Sequence, residues 1–210
     1  MFTNRQLVAL MWPLLLEQML AITVGLADSL MVATVGDAAI SAVSLVDSIS
    51  NLMIYVFSAM ATGGAAVAGQ YIGQKHKEDA CNAGQQLIAL LAAVSLFFVA
   101  LLYLFRPQIL TTMFGHIEPD VMAATNTYYI YVMASIPGIA LYNGGAALFR
   151  TMGRSDVSLK VSLLMNSINV AGNAILIFGL GMDVAGVAIP TLVSRTVAAA
   201  VILGLLFDNK

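Results

Sequence analysis

Polar and charged residues fall in narrow bands along this chain, and the stretches between the bands are almost continuously apolar. Residues 6–36 contain only Glu17 and Asp28 as charged groups, and residues 38–72 contain only Asp47. Residues 80–105, 121–149 and 161–182 contain no charge at all, and residues 184–207 contain only Arg195. About 20 apolar residues suffice for a helix to cross the hydrocarbon of a bilayer, so each stretch qualifies as a span. None shows the period-2 alternation of a membrane β-strand, which sets a barrel aside. The pattern predicts an all-α, polytopic membrane protein with spans at about 7–35, 41–72, 80–105, 121–149, 160–181 and 184–207. The bands between them are short and rich in Gly, Pro and Asp, as at Gly36-Asp37, Gly73-Gln74, Arg106-Pro107, Glu118-Pro119-Asp120, Gly153-Arg154 and Gly181-Met182-Asp183. No long linker divides the chain, so residues 1–210 read as one six-helix lobe.

Composition sharpens this reading. The chain is 60% hydrophobic and 10% charged, with a mean hydropathy of +0.91. Soluble domains carry about 25% charged residues, and a surface this poor in charge is stable only against lipid. Residues 1–6 are too short and polar for a signal peptide, so the first span is expected to stay in the mature protein. The single cysteine, Cys81, allows no intrachain disulfide, and His76 and His116 stand in separate connections, away from any metal-ligand spacing. No Gly-rich phosphate loop ending in Lys-Ser/Thr is present, nor H-E-x-x-H or G-x-S-x-G. No enzyme chemistry, cofactor or nucleic-acid partner is expected.

Basic residues set the expected orientation, because short cytoplasmic loops collect Lys and Arg. With the N-terminus in the cytoplasm, Arg5, Lys75, Lys77, Arg150, Arg154, Lys160 and Lys210 fall inside and only Arg106 falls outside. Asp37, Glu118, Asp120 and Asp183 then lie outside. One short similarity links the two halves of the chain: Gly63-Gly64-Ala65-Ala66 recurs as Gly144-Gly145-Ala146-Ala147. It reads either as close packing of small residues between helices or as a trace of repeat ancestry.

Ionisable groups within spans are costly, roughly 3 kcal/mol on insertion scales, so they should face the bundle interior and have a use. Glu17 and Asp28 are eleven residues apart, which returns to within about 20° of the same helical face and separates them by about 16 Å along the axis. They form one stripe that reads either as a cation or proton site facing a cavity, or as structural hydrogen bonding to a neighbouring helix. In span five, Asn166, Asn169 and Asn173 recur at i, i+3 and i+7 on one face. Their amides either bond between helices or contact an ion or substrate. Span six carries Thr191, Ser194 and Arg195 just after Pro190, a residue that frees a helix carbonyl. Arg195 either requires an internal counter-charge or snorkels to the interface. Asn143 is a further inward candidate in span four, and Pro13 is a candidate hinge in span one.

Several of these segments, taken in order, are similar to one family. Trp12-Pro13 with Asp28, Met31-Val32 and Gly36-Asp37 resembles the first helix of the multidrug and toxic compound extrusion (MATE) transporters. So do Gly63-Gly64-Ala65 with Gly69-Gln70-Tyr71-Ile72-Gly73-Gln74, and Phe149-Arg150-Thr151-Met152-Gly153-Arg154-Ser155. Asn169 and Asn173, followed by Ile177-Phe178-Gly179 and Gly186-Val187-Ala188, resemble spans five and six of the same family. The resemblance covers nearly the whole chain but only the N-terminal six-helix lobe of a twelve-helix protein. It implies a secondary antiporter that exports small cationic drugs or metabolites in exchange for H⁺ or Na⁺. A second six-helix lobe, on a missing C-terminal half or another chain, would complete the central cleft, and the bacterial inner membrane would be the location. By motif position the resemblance puts the ion- or proton-coupling cluster on Asp28, Asn169, Asn173 and Thr191, with a possible Na⁺ at Asp28. Asn173 departs from the pattern, since one branch of the family has an acid there, and this leaves Asp28 as the cluster's only formal negative charge. Glu17, Asn143, Asn166, Ser194 and Arg195 remain possible cavity or substrate contacts. Two other readings stand beside transport of cations: a lipid-linked oligosaccharide flippase of the same superfamily, and a non-transporting assembly subunit. Flippases of that kind line their cavity with several basic residues, whereas Arg195 is the one basic residue well inside a span here.

The charge asymmetry has a direct check. A cysteine placed at Asp183 should react with an impermeant thiol reagent added outside intact cells, and one placed at Lys77 should not. The reverse labelling pattern would overturn the orientation.

Overall fold

A computed structural model describes residues 4–115 and 117–208, with side chains described from Met11 onward. The Arg5 side chain, His116 and Lys210, invoked above for charge and metal spacing, lie outside the described residues. Eight α-helices follow in order: α1 (Asn4–Ala33), α2 (Asp37–Gly73), α3 (Lys77–Leu104), α4 (Arg106–Phe114), α5 (Pro119–Ala134), α6 (Ile136–Thr151), α7 (Ser155–Ala174) and α8 (Ala185–Asp208). A π turn, Ile175–Gly179, extends α7. Among the described residues there is no strand. Six segments are long and apolar enough to span a membrane: Met11–Ala33, Asp37–Gly73, Lys77–Leu104, Pro119–Thr151, Ser155–Gly179 and Ala185–Asp208. The protein is a multi-pass, all-helical membrane protein.

Two features depart from the sequence pattern. The segment after Arg106-Pro107 is not a plain connection but the short helix α4. Its proline sits in the first turn, where a missing N–H costs nothing. The fourth span is not one helix but two, α5 and α6, meeting at Ser135. Pro137 follows the junction and has no N–H to return to the carbonyl four residues back. Beside the break, the Ser135 hydroxyl donates to the Val132 carbonyl at 2.6 Å.

The spans differ greatly in how they are covered. In the most apolar window of the fourth span 72% of residues are buried, against 6% for the first, which makes the α5–α6 rod the centre of the bundle and α1 its rim. α6 packs on α2, α3 and α8, and α1 packs chiefly on α7. Small residues permit these approaches. A Cβ on Gly144 would stand 2.5 Å from a Leu91 methyl, one on Gly145 would stand 2.8 Å from Ile202, and one on Gly64 would stand 2.4 Å from Leu87. The recurring Gly-Gly-Ala-Ala segments are therefore contact surfaces for α3 and α8. At the far end of α7 the chain reverses at Gly181, whose φ of 63° suits a residue without a Cβ. Its N–H donates to the Ile177 carbonyl and that of Met182 to Leu176, which closes the π turn. This turn meets the loops around Gly36 and Asp120 in one depression lined by Asp37, Asp120 and Asp183, so the three connections share one end of the bundle.

The crossing of α7 and α8 is the tightest test of this packing. A Cβ on Gly172 would lie 2.7 Å from Cβ of Pro190, a rigid ring that cannot swing aside, while one on Gly63 would meet nothing within 4 Å. Both substitutions to alanine gain helix propensity. Gly172→Ala should nevertheless destabilise the purified protein by about 1–3 kcal/mol through overpacking, and Gly63→Ala should be neutral or stabilising. Thermal unfolding in detergent measures both, and equal behaviour of the two variants would contradict the packing.

Candidate functional site

Three groups of polar side chains lie between the helices, and each answers the same need: a polar group in hydrocarbon has no water to bond with. The first joins α1, α7 and α8. Asn173 donates from Nδ2 to Asp28 Oδ1 at 2.8 Å. Asn169, one turn earlier on the same face of α7, turns its amide nitrogen to the same carboxylate, 2.9 Å from Oδ2 and 3.1 Å from Oδ1. This is the orientation that an ionised Asp28 requires, since the reverse would point an amide oxygen at a carboxylate. The Asn169 oxygen then faces the Thr191 hydroxyl at 3.2 Å, and that hydroxyl also lies 3.0 Å from the Val187 carbonyl of its own helix. Asn169, Asn173 and Thr191 are buried and Asp28 is half-buried. The structure thus brings together all four residues of the expected coupling cluster. The two amides present N–H donors, not oxygens, to Asp28, and Asn173 Oδ1 is buried without a partner.

The second group lies one turn further along α8. Arg195 is four residues from Thr191 and shares its helical face. Its Nη1 donates to the Ser135 hydroxyl at 2.8 Å, at the break in the fourth span, and reaches the Ser50 hydroxyl of α2 at 3.5 Å. α6 comes close here because residue 138 is glycine, where a Cβ would lie 3.0 Å from the Arg195 carbonyl oxygen. Asp47, one turn before Ser50 on α2, accepts a hydrogen bond from the Tyr128 hydroxyl at 3.2 Å. Asp28, Asp47 and Arg195 are near enough to feel one another's charge. Arg195 therefore does not snorkel; it points into the bundle. Its charge is balanced through space by two carboxylates rather than by an ion pair, since no acid of the described residues lies within 4.0 Å of it.

The third group ties the other half of α1 to α6 and α7. Tyr142 donates to Glu17 Oε1 at 2.9 Å. The second carboxylate oxygen lies 3.4 Å from the Ser158 hydroxyl and 3.7 Å from Arg150 Nη1. Glu17 and Asp28 thus both bind α7-side partners, as a shared stripe requires, but in two separate clusters.

The remaining candidates stand apart. Asn166 donates to Ser162 within α7 at 3.3 Å, and Ser194 bonds back to the Thr191 carbonyl of its own helix at 3.1 Å. Asn143 Nδ2 is buried with no partner and joins none of the three groups. α1 runs without interruption through Pro13. Asp47, Tyr128, Ser50 and Ser135 were not singled out from sequence as site residues. Asp47 had a visible signal as the only charge in its span, and Asp47/Ser50 and Tyr128/Ser135 keep i, i+3 and i, i+7 spacings that share a face. Among the described residues no group of three or more His, Cys, Asp or Glu is placed to hold a metal ion.

Known proteins share the family and fold of this chain. The family model MatE matches residues 13–175, well over half of the chain. A Bacillus subtilis transporter, YisQ, is 31% identical over 196 residues, covering 91% of this chain and 42% of that protein. A probable multidrug resistance protein, NorM, of Thermotoga maritima is 22% identical over 211 residues, covering 99% of this chain and 45% of the relative. Among solved structures, an outward-facing MATE family multidrug resistance transporter superposes with a TM-score of 0.89 at 22% identity, over 96% of this chain and 44% of the other. A Vibrio cholerae MATE transporter in a bent form gives 0.87 at 21% identity, over 98% and 46%. The chain spans about half the length of the curated relatives it matches. Members of this family are transporters and not enzymes. With a family model across most of its length and the same six-helix arrangement, the chain belongs to the MatE family of multidrug and toxic compound extrusion transporters.

Proposed function

We propose that this chain forms one lobe of a secondary antiporter that exports small cationic solutes from the cytoplasm in exchange for protons, with Asp28 as the residue that takes up the coupling ion. The second lobe completes the cleft, and the bacterial inner membrane is the site of action. The observation that carries the reading is the contact of Asp28 with Asn169 and Asn173. A carboxylate on a rim helix is held to the core of the lobe only by hydrogen bonds. Neutralising it weakens the charge-assisted part of those bonds, so the position of α1 becomes sensitive to ion uptake. A bound ion drives a conformational change only to the extent that it binds the two conformations with different affinity, and a bond between a moving rim helix and a fixed core supplies that difference.

The choice of ion follows from the donors. A sodium ion needs several oxygen ligands, whereas both amides direct nitrogen at Asp28. A sodium ion would require both amides to turn around, and a proton requires neither to move.

Two substitutions test the reading. Asp28→Asn keeps the side-chain shape, so membrane yield of the full-length protein should be retained while efflux of a fluorescent cation under an imposed proton gradient falls to background. Loss of yield would indicate a structural role, and normal gradient-driven efflux would remove Asp28 from the mechanism and direct attention to Glu17. Asn173→Asp replaces a donor by a second carboxylate at the orphaned position. Added negative charge attracts a hard cation, so this variant should acquire or strengthen a dependence of efflux on Na⁺. An unchanged response to Na⁺ would show that residue 173 does not face the ion.

A further inference from the structure

At the end of the bundle that carries Arg106, one strip of the otherwise well-covered fourth span is open. Pro119, Met122, Ala123 and Asn126 recur at i, i+3, i+4 and i+7, so they share one face of α5. They line a cavity of about 520 Å³ together with Arg106 and Leu110 of α4. That volume falls within the range of roughly 300–1,000 Å³ typical of small-molecule sites. α4 has nine residues, too few to span a bilayer. Leu104 and Phe105 just before its first turn and Met113 near its end are exposed apolar side chains. A short helix so flanked, at the end of a span, lies where headgroups meet acyl chains. Arg106 is the one charged residue that lines the groove: neither Glu118 nor Asp120 does, and Asp120 lines the separate depression with Asp37 and Asp183. The Arg106 guanidinium has no hydrogen bond or ion pair among the described residues. The Asn126 amide has no hydrogen-bond partner among them either. Snorkelling to the interface would account for Arg106 alone. It would not account for Asn126, two turns into α5 on the floor of the same groove.

We propose that the groove between α4 and α5 binds an anionic glycerophospholipid, with the phosphate on Arg106, an ester carbonyl on the Asn126 amide and the apolar part of the lipid against Leu110, Met122 and Ala123. The groove offers a cation, an amide donor and an apolar wall, and a phospholipid carries the complement of all three on one molecule. A guanidinium grips a phosphate by two parallel hydrogen bonds, and basic pockets between membrane helices bind anionic headgroups. An anionic lipid is favoured over a zwitterionic one because no acid lines the groove to receive a headgroup ammonium. On the orientation expected from the basic residues, the lipid belongs to the outer leaflet. The groove shares no residue with the three polar groups between the helices, so the lipid site stands or falls independently of the antiport reading.

Native mass spectrometry of the delipidated full-length protein tests this, with phosphatidylglycerol, phosphatidylcholine and diacylglycerol of identical chains as probes. Wild-type protein should retain one phosphatidylglycerol about tenfold more tightly than either other lipid, the scale of one hydrogen bond to a charged group. Arg106→Gln should abolish that preference, and Arg106→Lys should retain part of it. Ala123→Phe should lower binding of phosphatidylglycerol by filling the groove while the charge stays in place. Lys160→Gln, which removes an exposed cation elsewhere, should change nothing. Equal retention of the three lipids by the wild type would overturn the proposal. So would a loss of preference in Lys160→Gln as large as that in Arg106→Gln, which would mark general attraction to basic surface. Unchanged binding in Ala123→Phe would leave only an arginine at the interface and would also sink the groove. Inorganic phosphate is the last probe: if it displaces the retained lipid, the site takes a soluble anion and the lipid assignment fails, whereas retention in its presence supports it. Should Arg106→Gln not be recovered folded, the wild-type comparison of lipids and Arg106→Lys decide the matter.

Discussion

The lack of water in the hydrocarbon is the constraint from which the rest of this structure follows. Each backbone or side-chain polar group at that depth must find a partner within the bundle, at a cost of several kcal/mol where it does not. The backbone solves this by remaining helical almost everywhere. Where the fourth span breaks ahead of Pro137, the Ser135 hydroxyl donates to the Val132 carbonyl and accepts from Arg195. One break therefore supplies a fixed acceptor for a buried cation at the centre of the lobe. Two of the three polar groups leave one feature unmatched, an orphaned Asn173 oxygen and the Nη2–Nε edge of Arg195, whereas Glu17 has a partner on each carboxylate oxygen.

The same constraint makes α1 different in kind from the other spans. Its outward face carries Met11, Trp12, Leu15, Met19, Ile22, Leu26 and Leu30, all exposed in the isolated lobe. Apolar contact with lipid costs nothing, so burial does little to hold such a helix in one place. Its inner face packs on α7, with Val32 buried, and Glu17 and Asp28 add hydrogen bonds to buried polar residues of α6 and α7. Part of what fixes α1 is therefore ionisable, whereas α6 is close-packed on three sides around Gly144 and Gly145.

Much of this was legible in the chain, for identifiable reasons. Long uncharged stretches have only one stable use, so the six spans and the all-helical class followed from composition and length. The eleven-residue spacing of Glu17 and Asp28 and the i, i+3, i+7 series of asparagines placed those residues on single faces, and the structure joins Asp28 to Asn169 and Asn173 as that geometry allows. Partners across helices were not legible, because face periodicity says which way a residue points but not which neighbour it meets. Asn166 belongs to the asparagine face and still bonds only within its own helix, and Ser194 turns back on its own backbone. Arg195 could not be resolved between lipid interface and interior until the serines of α2 and the α5–α6 junction were in place. That junction had its signal in Pro137, but prolines are common in membrane helices and only the surrounding bonds distinguish a break from a bend.

The arrangement of α8 ties these observations together. Thr191 and Arg195 occupy successive turns of one helix. The first lies against the amides that hold Asp28 and the second lies beside Asp47. Pro190 and Gly172 bring α7 and α8 into contact at this level, where a single added methyl would collide with the proline ring. A shift of α8 large enough to relax one cluster would therefore move the other, since the two are fixed to the same rigid rod. Electrostatics acts in the same direction. On the antiport reading proposed above, a proton taken up by Asp28 would change the summed charge of Asp28, Asp47 and Arg195 from net negative to balanced, in a low-dielectric region where one charge is felt across several ångströms. That change would need no long pathway to reach Arg195, which stands one turn from Thr191 on the same face of α8.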